Sequence, residues 1–307
     1  MNNDMKSFRN LFALIATTLL IALLFTPSAT AKPVNVYQDI TYVSGSTMEK
    51  QTLDIYTPKE EVSRPYPVLI FVHGGAWHIG DKKRVTPDIA RSYTNQGIIV
   101  VSINYRLSPR YKHPSHIRDV ASATKWVVDN IGKYGGSTKR IAITGHSAGA
   151  HLVALLTTNP LYLSTHNIPA TKFNAVIPVD TAGFDLTKPY KGKFARMIQR
   201  HLNRAFGTDK KSLIDASPTL QVRKGKDYPP FFLYVTAERP HAVKETRLLA
   251  AAIKKSGGFA HNIVIDRGLT HRDMGQTIFD PRSEVFKTIM EVFGKTLYRT
   301  PVIARKT

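Results

Sequence analysis

Short apolar runs alternate along this chain with stretches of helical spacing, and no other feature limits the fold as strongly. Residues 68–72, 98–104, 140–144, 175–179, 230–235 and 262–265 are apolar runs of the length of a buried strand. Between them, residues 116–131 set Ile117, Val120, Ala121, Thr124, Val127 and Val128 on one helical face. Residues 147–157 form an apolar helix stopped by Asn159-Pro160, residues 243–255 run to a Gly257-Gly258 stop, and residues 284–298 read as a closing helix. Strand–helix–strand repetition predicts an α/β fold, with a mostly parallel central sheet and helices on both faces. Residues 34–42 and 51–56 precede it as an antiparallel pair.

One stretch breaks the rhythm. Residues 185–227 lie between two expected strands and are too long for a simple connection. Phe194, Met197, Ile198, Leu202 and Phe206 recur there at helical spacing, and Arg196, Arg200 and Arg204 share another face. An inserted helix is expected, placed as a short lid before the next strand. The insertion carries eleven Lys or Arg against four Asp, a net +7.

Residues 1–31 read as an export signal. Lys6 and Arg9 precede the uncharged run 11–25, Pro27 ends it, and Ala29-Thr30-Ala31 is a small-residue cleavage site. The run is shorter than the roughly 20 residues that span a bilayer. Residues 32–307 are then one domain of 276 residues, periplasmic or secreted, long enough for a sizeable core. The chain has no cysteine, which excludes disulfides, thiolate nucleophiles and zinc–thiolate sites. Its net charge is +21, yet no basic run is interleaved with aromatic residues, so no nucleic-acid partner is expected. Adsorption to an anionic envelope surface, or simply a basic proteome, accounts for the charge more plainly.

Gly145-His146-Ser147-Ala148-Gly149 follows the run 140–144 directly and opens the apolar helix 147–157. That is the setting of a G-x-S-x-G turn, in which a tight strand-to-helix corner lifts the serine hydroxyl clear of the sheet. The helix N-terminus behind it favours developing negative charge. Upstream, His73-Gly74-Gly75-Ala76-Trp77 follows the run 68–72. Main-chain N–H groups without bulky side chains suit an oxyanion site. Gly74, Gly75 and Ala148 are the expected donors, with Ala76 a substitute; His73 and Trp77 are expected to pack the loop.

Together HGGAW at 73–77, NYRLSP at 104–109 and GHSAG at 145–149 resemble the esterase branch of the α/β-hydrolases. The nearest groups are the BD-FAE-like and hormone-sensitive-lipase-like carboxylesterases. The resemblance implies the α/β-hydrolase fold, cofactor-free and metal-free hydrolysis of carboxylic esters, and structural roles for Tyr105, Arg106 and Asp119. Chain order in that fold is nucleophile, acid, histidine. Ser147 is then the nucleophile, and His271, in the loop after the run 262–265, the general base. His261 precedes that strand, and His241 comes too early. Glu238, in Thr236-Ala237-Glu238-Arg239-Pro240, stands where the acid usually follows its strand, although aspartate is commoner there. Asp180, ending the run 175–179, is the alternative. Asp185 and Asp266 are expected to be structural.

These residues predict a serine hydrolase acting through an acyl-enzyme on a small-molecule or polysaccharide-linked ester. An arylformamidase, or a non-catalytic binding protein on the same scaffold, would share most of them.

Overall fold

The computed structural model describes residues 33–59, 64–192, 194–265 and 268–294. The expected export signal, its cleavage site and Asp266 lie outside them. Eight strands form one sheet in the order β1-β2-β4-β3-β5-β6-β7-β8. They are β1 (Val34–Thr41), β2 (Thr52–Pro58), β3 (Tyr66–Val72), β4 (Ile99–Ile103), β5 (Gly136–His146), β6 (Phe173–Val179), β7 (Phe231–Thr236) and β8 (Ala260–Ile265). β1 and β2 pair antiparallel, as does β2 with β4; every later pairing is parallel. β3, β4 and the second half of β5 are buried on both faces, which is why they read as continuous apolar runs without alternation.

The α-helices are α1 (Pro87–Thr94), α2 (Ser115–Asn130), α3 (Ala148–Thr158), α4 (Pro160–Ser164), α5 (Ala195–Phe206), α6 (Lys210–Asp215), α7 (Pro218–Gln221), α8 (Pro240–Lys255), α9 (His271–Thr277) and α10 (Glu284–Val292). Two apolar clusters sandwich the sheet. One gathers Ile117, Val120, Leu152, Leu155, Leu249 and Ile253 from α2, α3 and α8. The other gathers Tyr93, Val285, Phe286 and Ile289 from α1 and α10. The architecture is the expected α/β one, with helices on both faces.

The insertion contains the expected helix, α5, with two shorter ones after it. Leu202, Ala205 and Phe206 are its buried face, and Arg196, Arg200 and Arg204 point to solvent. The segment is fastened by polar bonds as well. The Asp215 carboxylate accepts from Asn159 at 3.1 Å and from Tyr162, and lies 2.7 Å from His113 Nε2. His151 Nε2 donates to the Ala216 carbonyl at 2.8 Å. α1 and α9 have no counterpart in the apolar periodicity. α1 opens on Pro87 behind a Thr86 cap, and α9 is a seven-residue helix started by a Thr270–Asp273 capping box.

Candidate active site

Ser147 is the corner between β5 and α3. Its backbone lies at φ 57° and ψ −117°, a left-handed position costly for a residue with a side chain. Two approaches enforce the corner. A Cβ on Gly149 would stand 2.0 Å from the Val72 carbonyl oxygen, so α3 can lie against β3 only with glycine there. The Ser147 N–H donates to the Val179 carbonyl at 3.0 Å, tying the corner to the end of β6.

Asp180 is the next residue after β6. It also takes a left-handed conformation, φ 53°, and its N–H donates to the Tyr234 carbonyl at 2.8 Å. The turn carries its carboxylate beneath the loop that follows β8. There His271 Nδ1 lies 2.6 Å from Asp180 Oδ2, and His271 Nε2 lies 3.0 Å from Ser147 Oγ. The Asp180 side chain is wholly buried. Burial by itself would raise its carboxyl, but the bond to His271 and the charge of Arg239 outweigh that and hold it below the ordinary carboxylate range.

His271 is the first residue of α9, and two bonds set its loop. Thr236 Oγ1 donates to the Leu269 carbonyl at 2.6 Å, and His146 Nε2 donates to the carbonyl of His271 itself at 2.8 Å. Burial, then the neighbouring His271, pushes the His146 imidazole down to about 3, so it stays neutral as a donor. Its ring lies against the backbone of Gly275: a Cβ there would meet His146 Nδ1 at 2.9 Å.

Glu238 is not brought to the imidazole, and the preference for it over Asp180 is corrected here. It is exposed, and its N–H donates to Thr236 Oγ1 at 3.3 Å. The physical reason is where the histidine loop goes. β7 is the neighbour of β8, but the loop after β8 carries His271 back to Ser147, and β6 ends in Asp180 right beside that serine. The place expected for Glu238 is taken by the next residue. Arg239 Nη1 donates to Asp180 Oδ2 at 2.8 Å and to the Asp180 carbonyl at 3.2 Å, and lies 2.9 Å from His271 Nδ1. Sequence reasoning passed over both Arg239 and His146. Arg239 stood beside the expected acid, and His146 is the variable position of the G-x-S-x-G turn.

The HGGAW loop closes the other side. A Cβ on Gly74 would come within 3.1 Å of Ser147 Cβ and 2.7 Å of the His146 carbonyl oxygen, so this backbone passes directly over the nucleophile corner. Gly75 follows it, and Ala148 begins α3 beside the serine. Ala76 and Trp77 both have positive φ, 49° and 59°. His73 is buried, stacks on Tyr105 at 4.4 Å, and its carbonyl accepts from the Tyr105 hydroxyl at 3.1 Å. Trp77 packs edge-on to His151 and Phe206, so α5 braces the loop, and His201 of α5 stacks on His78 at 4.6 Å. Arg106 and Asp119 form a two-pronged pair, 2.7 and 2.8 Å. Asp119 also accepts from Gln51 at 2.9 Å and from the Arg106 backbone N–H at 2.8 Å, which fixes the 104–109 segment, whose Ser108 N–H donates to the Trp77 carbonyl at 2.8 Å. His261 is exposed on β8, and His241 packs against Tyr190. Asp185 accepts from Thr187 and pairs with Lys188.

A mostly parallel eight-stranded sheet, helices on both faces and a serine at a strand-to-helix corner define an α/β-hydrolase fold. Solved structures agree: esterase B from Lactobacillus rhamnosis superimposes with a TM-score of 0.71, covering 96% of this chain and 95% of that one at 21% identity. A truncated carbohydrate esterase from gut microbiota gives 0.68 over 87% and 97%, at 24% identity. The chain belongs to the BD-FAE family, whose profile matches residues 53–248. Among curated relatives in Mycobacterium tuberculosis, it is 36% identical to esterase LipQ over 71% of this chain and 53% of that protein. It is 34% identical to esterase LipC over 60% and 47%. The chain spans about half the length of the curated relatives it matches.

Proposed function

We propose that this chain hydrolyses carboxylic esters through an acyl-enzyme on Ser147. The observation that carries the reading is the continuous line Ser147 Oγ, His271 Nε2, His271 Nδ1, Asp180 Oδ2, with contacts of 3.0 and 2.6 Å. His271 accepts the hydroxyl proton as Oγ attacks the ester carbonyl. Asp180 fixes the Nδ1–H tautomer and balances the imidazolium that forms. The N–H groups of Gly74, Gly75 and Ala148 receive the negative oxygen of the tetrahedral intermediate. His271 returns its proton to the departing alcohol. Water then attacks the acyl carbon by the same route, releasing the acid and restoring Ser147. The esterase names of the relatives support the reaction class.

The substrate is a small ester, and an acylated sugar is the finer proposal, in keeping with one structural neighbour being a carbohydrate esterase and with the export signal expected from the sequence of residues 1–31. Incubation with a fluorophosphonate probe, and turnover of aryl and sugar esters of graded acyl length, test the reading. Ser147→Ala is expected to fold normally, lose labelling, and lose at least ~10⁴-fold in kcat. Substantial turnover by the folded variant would remove Ser147 from the reaction. Hydrolysis of aryl esters but no sugar ester would remove the sugar.

A further inference from the structure

A cation sits inside the hydrogen-bonded group that the reaction uses. Arg239 Nη1, His271 Nδ1 and Asp180 Oδ2 form a triangle with sides of 2.8, 2.9 and 2.6 Å. The guanidinium only donates and does not lose its charge at any working pH. With the imidazole neutral and its proton on Nδ1, two N–H groups converge on one carboxylate oxygen, which can accept both. The second Nη1 hydrogen is directed to the Asp180 carbonyl, 3.2 Å away. The Arg239–His271 approach is then a contact between two donors. Its cost is offset by the shared carboxylate while the ring is neutral and rises when the ring takes up charge.

Protonating the ring at Nε2 changes this balance. The imidazolium charge forms in contact with the guanidinium, where the Arg239 side chain is 14% exposed and that of His271 40%, so water screens the two charges only in part. A carboxylate alone would draw His271 toward the charged form; the adjoining cation pushes it back. Other groups facing the pair do not replace that charge. His146, from β5, is kept neutral by burial. Thr236 and the Leu269 carbonyl are uncharged, Glu238 is exposed, and Asp273 is engaged with Thr270. Among the described residues, Arg239 is the one cation touching both members of the pair.

We propose that Arg239 is a positioning residue that sets the acid limit of the reaction: it holds the Asp180 carboxylate in place and opposes protonation of His271, so that the base stays ready at lower pH. The proposal rests on the Ser147–His271–Asp180 reading. It ascribes to the residue after Glu238 a role opposite in charge to the one expected of Glu238.

The test is the pH dependence of kcat/KM for p-nitrophenyl acetate, a neutral ester, between pH 4.5 and 9 with the full chain. Arg239→Gln keeps a donor and loses the charge, Arg239→Met loses both, and Arg239→Lys keeps a cation. Folding is checked by circular dichroism. The acid limb of kcat/KM reports the free enzyme's base. In the Gln and Met variants it is expected to move up by about one pH unit, with the plateau within about tenfold of the parent. In the Lys variant it should stay within a few tenths of the parent. A purely structural role predicts a lowered plateau with the limb unmoved or moved down, because a displaced Asp180 supports the imidazolium less. Either of those results, or a Lys variant behaving like Gln, overturns the proposal. So does failure of both neutral variants to fold, which would make Arg239 a structural cation. If the parent protein neither turns over esters nor labels with the fluorophosphonate, the hydrolase reading itself fails. If it does both and only the limb stays put, this inference alone falls.

Discussion

At the scale of single residues, the two carboxylates weighed from the sequence separate cleanly. Asp180→Asn keeps the shape of the side chain but offers His271 an amide, which misorients the imidazole and leaves its cation unpaired. Its kcat on a simple ester is expected to fall by about 10⁴-fold. Glu238→Gln, at an exposed side chain, should be close to normal. Measuring both with one ester is decisive, since the reverse pattern would return the acid to Glu238. The error in favouring Glu238 has a physical origin. Chain order locates a residue along the sheet edge but says nothing about which neighbour occupies the space beneath the histidine. That space is held by Arg239, and an arginine beside a histidine and an aspartate has no signature in sequence spacing. Ser147 and His271 were legible because each stands at a junction marked by composition: glycines around the first, the loop after a final apolar run for the second.

Among elements, α5 is the one whose removal would be felt furthest from itself. Phe206 is 2% exposed and touches both Trp77 of the HGGAW loop and His151 of α3. Phe206→Ala is expected to cost about 3 kcal/mol in stability, read by urea denaturation. It should also lower kcat by about tenfold or more, since Trp77 loses a wall and the Gly74–Gly75 backbone is placed less accurately. A loss of stability with kcat unchanged would show that the loop holds itself. The elements that could be read from sequence were those with a repeating apolar face. Residues 116–131 and 243–255 correspond to α2 (Ser115–Asn130) and α8 (Pro240–Lys255), and each expected strand is present within a few residues. α1 and α9 escaped because caps start them and few apolar residues mark them. The closing helix α10 ends at Val292, sooner than its periodicity suggested, and residues 295–298 of the expected helix lie outside the described ones.

For the whole molecule, buried imidazoles set the response to acid. Burial, in each case the largest cause, pushes His73 down to about 4 and His116, His146 and His151 down to about 3. In the unfolded chain the same side chains take up protons near pH 6.5. The folded protein thus binds fewer protons than the unfolded one between those values. The stability present above pH 6.5 is progressively lost as the pH falls toward 4. Thermal melts from pH 8 to 4 should show Tm flat at the top and dropping steeply below pH 6.5, and a flat Tm down to pH 4 would contradict the burial of these rings. Strand order has another consequence, in time. Ser147 and Asp180 meet across adjacent strands, but His271 arrives only after β8 has taken its place at the sheet's far edge. A ribosome adding about 5–20 residues per second needs about 6–25 s to travel from Ser147 to His271. On the proposed mechanism, the growing polypeptide carries a serine without its base throughout that interval, and a chain released before residue 271 is expected to leave esters untouched.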